Sequence, residues 1–208
     1  DAALQLDATP SHALREALEH PERVDDLFLE RGVIRVTPRI GLLASLEPFD
    51  DRINLQEDAI LSLLANLLRR YRYVFVDLPG TLAPRLSRVL HLPSMCLMVS
   101  DASLVSARDV RRWRERIGPN NPERSTLHIL NKNGAHGSLP YDEFVRAVGQ
   151  EPDIVIGYER EIGLASTLGV KGMANCAALT RALAPVLRRV AGEPIEQESS
   201  LLARLFSR

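Results

Sequence analysis

The residues with the clearest chemical potential are Asp77 and Gly80, three apart in the stretch YRYVFVDLPGTLAP (71–84). The apolar run 73–76 reads as a buried strand, and it stops on a carboxylate followed by a Pro-Gly turn. A carboxylate at a strand end can hold a magnesium-bound water. A glycine three residues on can bring its backbone N–H against a terminal phosphate, because it has no Cβ in the way. The plainer reading is that Asp77 ends a strand and faces solvent.

Asn131 and Lys132 form a second candidate, in ILNKNG (129–134), where an apolar run again ends on polar residues. Guanine readers follow Asn-Lys with a further residue and then an Asp that accepts from the ring. Here that fourth position is Gly134, so guanine is disfavoured. An asparagine amide can both donate to and accept from adenine, which makes adenine the better ligand. The alternative is a polar turn that closes a strand.

The elements that must position these residues follow from periodicity. HALREALEHPERVDDLFLERG (12–32) reads as two short helices broken near Pro21. Residues 40–45 read as a short strand. LQEDAILSLLANLLRRY (55–71) spaces Ile60, Leu63, Leu64, Leu67 and Leu68 as a helix does. Strands are expected at 73–76, 94–100, 126–131 and 153–157. Between and after them come helices over 82–92, 103–118, 140–149, 159–169 and 178–192, several bounded by Pro or Gly. Continuous apolar strands alternating with helices predict an α/β fold, a mostly parallel sheet with helices on both faces. In such a sheet the strand ends converge on one edge, so Asp77, Gly80, the Ser100–Asp101 pair and Asn131 are expected around one cleft.

Bulk composition excludes several classes. The chain has 208 residues, 45% hydrophobic and 25% charged, with a formal net charge of -1, which disfavours bulk nucleic-acid binding. Aromatics at 5% supply no base-stacking platform. Cys96 and Cys176 are the only cysteines, and Cys96 in an apolar run reads as a buried thiol in a reducing compartment. The five histidines are scattered and read as structural or solvated. No apolar run approaches a membrane span, and no secretory signal opens the chain. Lys132 and Lys171 are the only lysines, and neither precedes Ser or Thr after a glycine-rich turn, so this sequence contains no Walker A loop. Arg108, Arg111, Arg112, Arg114 and Arg116 stud one helix. Such a row can meet DNA phosphates, and equally serves as a solvated face with intrahelical pairs.

Four stretches, YRYVFVDLPGTLAP, LMVSDASLVSARDVRR, HILNKNGAHGSLPYDEFVRAVG and IVIGYEREIGLASTLGVKGMA, together resemble the MinD/ParA group of deviant Walker ATPases. In order and spacing they look most like its CpaE/TadZ branch, which serves assembly of type IVb (Flp/Tad) pili. The resemblance runs from about residue 1 to 192 and implies a P-loop NTPase fold whose P-loop segment lies outside this chain. By that alignment the phosphate-gripping loop and the switch I aspartates fall before Asp1, and an upstream segment supplying a central strand is expected. The resemblance implies ATP and magnesium as cofactors and ATP hydrolysis as the activity. Asp77 becomes the Walker B-like acid, acting on magnesium through water, and Gly80 the switch II glycine. Asn131 and Lys132 would lie at the adenine, with Gly157, Tyr158 and Glu159 flanking it. It further implies a homodimer, pilus-assembly proteins as partners, and a cytoplasmic location peripheral to the inner membrane or cell pole. Two alternatives stay open: a nucleotide-binding scaffold with little or no hydrolysis, and a ParA-like DNA-binding partition ATPase, which the net charge disfavours.

Residues 1–192 are expected to form the ATPase domain, and 193–208 a polar linker with an amphipathic tail. In that tail Leu201, Leu202, Leu205 and Phe206 share one helical face, Arg204 and Arg208 share another, and Ser199 or Ser200 can cap the start. Such a helix suits a membrane interface, and it resembles the C-terminal targeting helix of MinD. Packing back on the domain or on a partner is the alternative.

Overall fold

The computed structural model describes residues 2–46, 56–80, 85–92 and 94–192. They divide into two compact units, residues 1–94 with 164–175 and residues 95–163 with 176–208.

The first unit opens with α1 (Ala2–Gln5), α2 (Ala13–Glu19) and α3 (Asp26–Gly32), the last two separated by a short 3-10 turn, Pro21–Arg23. Asp25 starts α3 by accepting from the Phe28 N–H at 2.7 Å, satisfying a donor that a helix start leaves open. A hairpin of β1 (Ile34–Thr37) and β2 (Ile40–Leu42) follows. Its strands run antiparallel. The Thr37 hydroxyl closes its turn, accepting from Arg39 N–H at 3.2 Å and Ile40 N–H at 3.1 Å. The short strand at residue 40 therefore belongs to a local hairpin rather than to the parallel sheet. The helix expected at 55–71 forms as α4 (Glu57–Arg70). Ala59 and Leu63 of α4 pack on Ala17, Leu18, Val24 and Leu29 to make this unit's core. Leu68, expected on the buried face, stays exposed.

The run 73–76 departs from expectation. It forms no strand, and Tyr73, Phe75 and Val76 are exposed, Phe75 at 73%. A strand is defined by its ladder, and these residues have no hydrogen-bonded neighbour strand among the described residues. The helix expected at 82–92 contracts to α5 (Ser87–Leu90). The Glu57 carboxylate accepts from the N–H groups of Arg88 (2.5 Å) and Val89 (3.0 Å) at its start.

The second unit carries the sheet. It contains β3 (Ser94–Ser100), α6 (Leu104–Ile117), β4 (Arg124–Asn133), α7 (Tyr141–Val148) and β5 (Ile154–Gly157), with strand order β3-β4-β5 and β4 parallel to β5. Each helix has local punctuation. Ser103 caps α6 by accepting from Ser106 N–H at 3.1 Å, and Gly118 ends it at φ 80°. Gly149 ends α7 in the left-handed region at φ 84°, where a side chain would be strained. After β5 come α8 (Arg160–Thr167), α9 (Gly169–Ala174), which periodicity had not separated from its neighbours, and α10 (Ala177–Val190). Residues 164–175 belong to the first unit, where the Asp7 carboxylate accepts from Val170 N–H at 3.3 Å.

Adjacent strand residues point to opposite sides of the sheet, so the two faces fill separately. Leu130 packs with Ala107 and Val110 of α6 and Phe144 and Val148 of α7. Ile129, Ile154 and Ile156 pack with Val186 of α10 on the other side. Helices thus cover both faces, as the continuous apolar strands require. No described helix is long and apolar enough to cross a membrane.

Candidate functional site

The C-terminal end of the β4–β5 pair is built by a break in register. Leu130 pairs with Val155, and the next pair is Asn133 with Gly157. Strand β4 therefore advances three residues while β5 advances two, which is a bulge at Asn131–Lys132. Lys132 takes a left-handed backbone conformation, φ 56°, uncommon for a residue with a side chain. The Asn131 carbonyl oxygen Oδ1 accepts from the Lys132 N–H at 2.9 Å and steadies the bulge. Beyond it, Lys132 O accepts from Ala135 N–H at 3.1 Å, and Asn133 O accepts from Tyr158 N–H at 2.8 Å. This last bond fastens the segment after β5 directly to the end of β4. Glu159 then opens α8, its carbonyl accepting from Ile162 N–H at 3.1 Å.

The bulge therefore brings Asn131 and Lys132 to the same sheet end as Gly157, Tyr158 and Glu159, all within the second unit. Lys132 and Glu159 are exposed, and the Tyr158 ring is 55% accessible, free to meet a flat ligand. A Cβ added at Gly157 would touch nothing in the chain.

The C-terminal end of β3 adds a feature that sequence reading passed over. Asp101 accepts from the Ser106 hydroxyl at 2.6 Å. Hydrogen bonds from Ser106, then from Ser103, hold its carboxyl below the usual carboxylate range. The signal lay in the spacing Asp101-x-Ser103-x-x-Ser106, an acid and two hydroxyls around a helix start.

Asp77 and Gly80 lie in the first unit. Asp77 is exposed on irregular chain rather than on a strand end. Gly80 sits in a turn, and a Cβ there would meet nothing within 4 Å, so no neighbour in the described structure demands glycine at 80. Leu201, Leu202, Leu205 and Phe206 fall outside the described residues.

No protein-family model matches the chain, and no curated protein matches it. Solved structures do. A ParA family ATPase from Chlorobium tepidum TLS is similar at a TM-score of 0.71 and 21% identity, covering 88% of this chain and 78% of its own. The MinD cell division protein of Aquifex aeolicus is similar at a TM-score of 0.63 and 18% identity, covering 93% of this chain and 80% of its own. The chain thus has the α/β fold of MinD/ARA-type ParA and MinD P-loop NTPases, and the likeness at these identities is one of fold.

Proposed function

We propose that this chain is the ATPase domain of a MinD/ParA-like protein of the CpaE/TadZ type, acting in localisation and assembly of type IVb pili through nucleotide-dependent dimerisation. The observation that carries the nucleotide reading is the bulged end of β4, which gathers Asn131 and Lys132 beside Gly157–Glu159. Open strand ends of this kind are where α/β sheets take their ligands. Asn131 would read adenine and the Tyr158 ring would lie against it.

The fit to ATP and magnesium is partial on the residues present. The exposed Asp77 carboxylate can hold a magnesium-bound water, and the unobstructed Gly80 backbone can approach a phosphate. Bound ATP with magnesium would supply the phosphoryl group for hydrolysis. No Walker A lysine stands in this sequence to grip its phosphates. The domain assignment, 1–192 with a tail at 193–208, and the homodimer with pilus-assembly partners belong to the same reading.

The test is competition binding to the protein carrying its phosphate-gripping segment. ATP is expected to displace a labelled adenine nucleotide at least tenfold more readily than GTP. Asp77→Ala is expected to weaken magnesium-dependent binding or turnover by tenfold or more while leaving the circular dichroism spectrum unchanged, since an exposed acid contributes little to packing. A preference for GTP would remove the adenine assignment, and an unchanged Asp77 variant would reduce that residue to a chain feature facing solvent.

The tail is proposed as the membrane tether. Burying Leu201, Leu202, Leu205 and Phe206 at about 1.5–3 kcal/mol each, less the cost of ordering, gives weak reversible binding that a dimer strengthens. Sedimentation with anionic liposomes is expected to pellet the intact chain and not a truncation after Gly192. Equal pelleting would leave the tail as a packing or partner-binding helix.

A further inference from the structure

At the opposite end of the β4–β5 pair lies a cavity of about 440 Å³ that the nucleotide reading does not use. Thr126 and Asn131 are separated by five residues of β4, roughly 16 Å along an extended strand. The cavity is lined by Arg114 and Glu115 from α6, Asn120 from the loop before β4, Thr126 of β4, and Gln150 and Asp153 from the turn into β5. All belong to the second unit.

Two polar atoms on this wall are buried without a partner, Nη1 of Arg114 and Oγ1 of Thr126. A buried donor left unmade costs about 1–3 kcal/mol, and more when it carries charge. Their neighbours are already engaged. The Asn120 amide oxygen accepts from Thr126 N–H at 2.7 Å. Oxygen Oδ2 of Asp153 accepts from His128 N–H at 2.7 Å. The unmet demand is therefore for an acceptor, and it is directed into the cavity.

The charge on the wall narrows the ligand further. A plain oxyanion would satisfy Arg114 and Thr126 but would sit in a cavity that also presents the carboxylates of Asp153 and Glu115. A plain cation would leave Arg114 unmet. A ligand carrying both signs a few ångströms apart meets each side with its complement.

We propose that this cavity is a binding site for a small zwitterion of the α-amino acid class. Its carboxylate accepts from Arg114 Nη1 and the Thr126 hydroxyl, and its ammonium faces Asp153 and Glu115. The site stands apart from the nucleotide-binding residues and does not depend on that assignment.

The test is a ¹⁵N-NMR titration of the 208-residue chain. The probes are glycine, L-serine and L-glutamine, with acetate and ethylammonium as single-charge fragments. At least one amino acid is expected to shift the backbone amides of 118–120, 126 and 150–153 saturably, and neither fragment to do so at equal concentration. Arg114→Met and Thr126→Val are each expected to weaken that binding tenfold or more. Thr126→Val removes a hydroxyl that has no partner in the structure, so it tests the proposal even where Arg114→Met fails to fold. The proposal is overturned by no saturable shift from any of the three amino acids. Equal shifts from acetate, or unchanged affinity in Thr126→Val, would overturn it too.

Discussion

Phe144→Ala is expected to lower the unfolding free energy of the sheet-bearing unit by about 3–5 kcal/mol, the range for deleting a large buried aromatic. Phe144 has no accessible surface and sits where Ala107, Val110, Leu130 and Val148 converge. The small residues Ala102 and Ala107 around it are part of how the ring fits, and they cannot expand to fill the space left by its loss. Against a domain stability of roughly 5–15 kcal/mol, that loss is a third or more of the total. Trp113, the single tryptophan, lies on α6, the helix packed against α7, so its fluorescence reports this unit directly. Urea titration of Phe144→Ala beside the exposed Glu143→Ala on the same helix measures the difference. The control is expected within about 0.5 kcal/mol of wild type. A loss below about 1 kcal/mol for Phe144→Ala would mean that the sheet and α7 are not packed as described.

Much of this packing was legible beforehand. The alternation of continuous apolar runs with punctuated helices led to an α/β sheet covered on both faces, and β3, α6, α7 and β5 form within a residue or two of where the pattern places them. Local chemistry carried those elements: Ser103 before α6, Gly118 after it, and Gly149 after α7. The run 73–76 failed for a physical reason. Tyr73, Phe75 and Val76 have strand composition, but composition does not supply the neighbouring backbone on which a strand depends. The bulge at Asn131–Lys132 was also illegible. It is a mismatch of count between two strands far apart in sequence, and it appears only once they are paired. The Arg114–Thr126 cavity has the same character, since its wall comes from a helix, a loop, a strand and a turn, none of which carries a motif.

His128 was read as structural or solvated, and its surroundings give the structural role a measurable consequence. It is fully buried, with its ring centroid 6.0 Å from that of Phe144, and Nε2 lies 2.8 Å from the Ser100 hydroxyl. Nδ1 is buried without a partner. Protonating the ring would place a second N–H where nothing accepts it. Burial, and then the nearby Arg114 guanidinium, hold its pKa down to about 4 from 6.5, with Asp153 opposing only in part. The unfolded chain takes up this proton near pH 6.5, whereas the folded chain resists it until about pH 4. Between those values the unfolded state binds more protons, so stability falls as the pH falls. The full contribution is present above pH 6.5, and roughly 2 kcal/mol of it is lost by pH 5. His128→Gln keeps a polar group within reach of Ser100 and cannot titrate, while every other ionising group stays in place. Urea unfolding at pH 7.5 and pH 5 is therefore expected to show wild type losing about 2 kcal/mol more than the variant over that interval. Parallel losses in the two proteins would mean that the ring at 128 takes up its proton as readily folded as unfolded, and that its burial between β3, α6 and α7 is not maintained in solution.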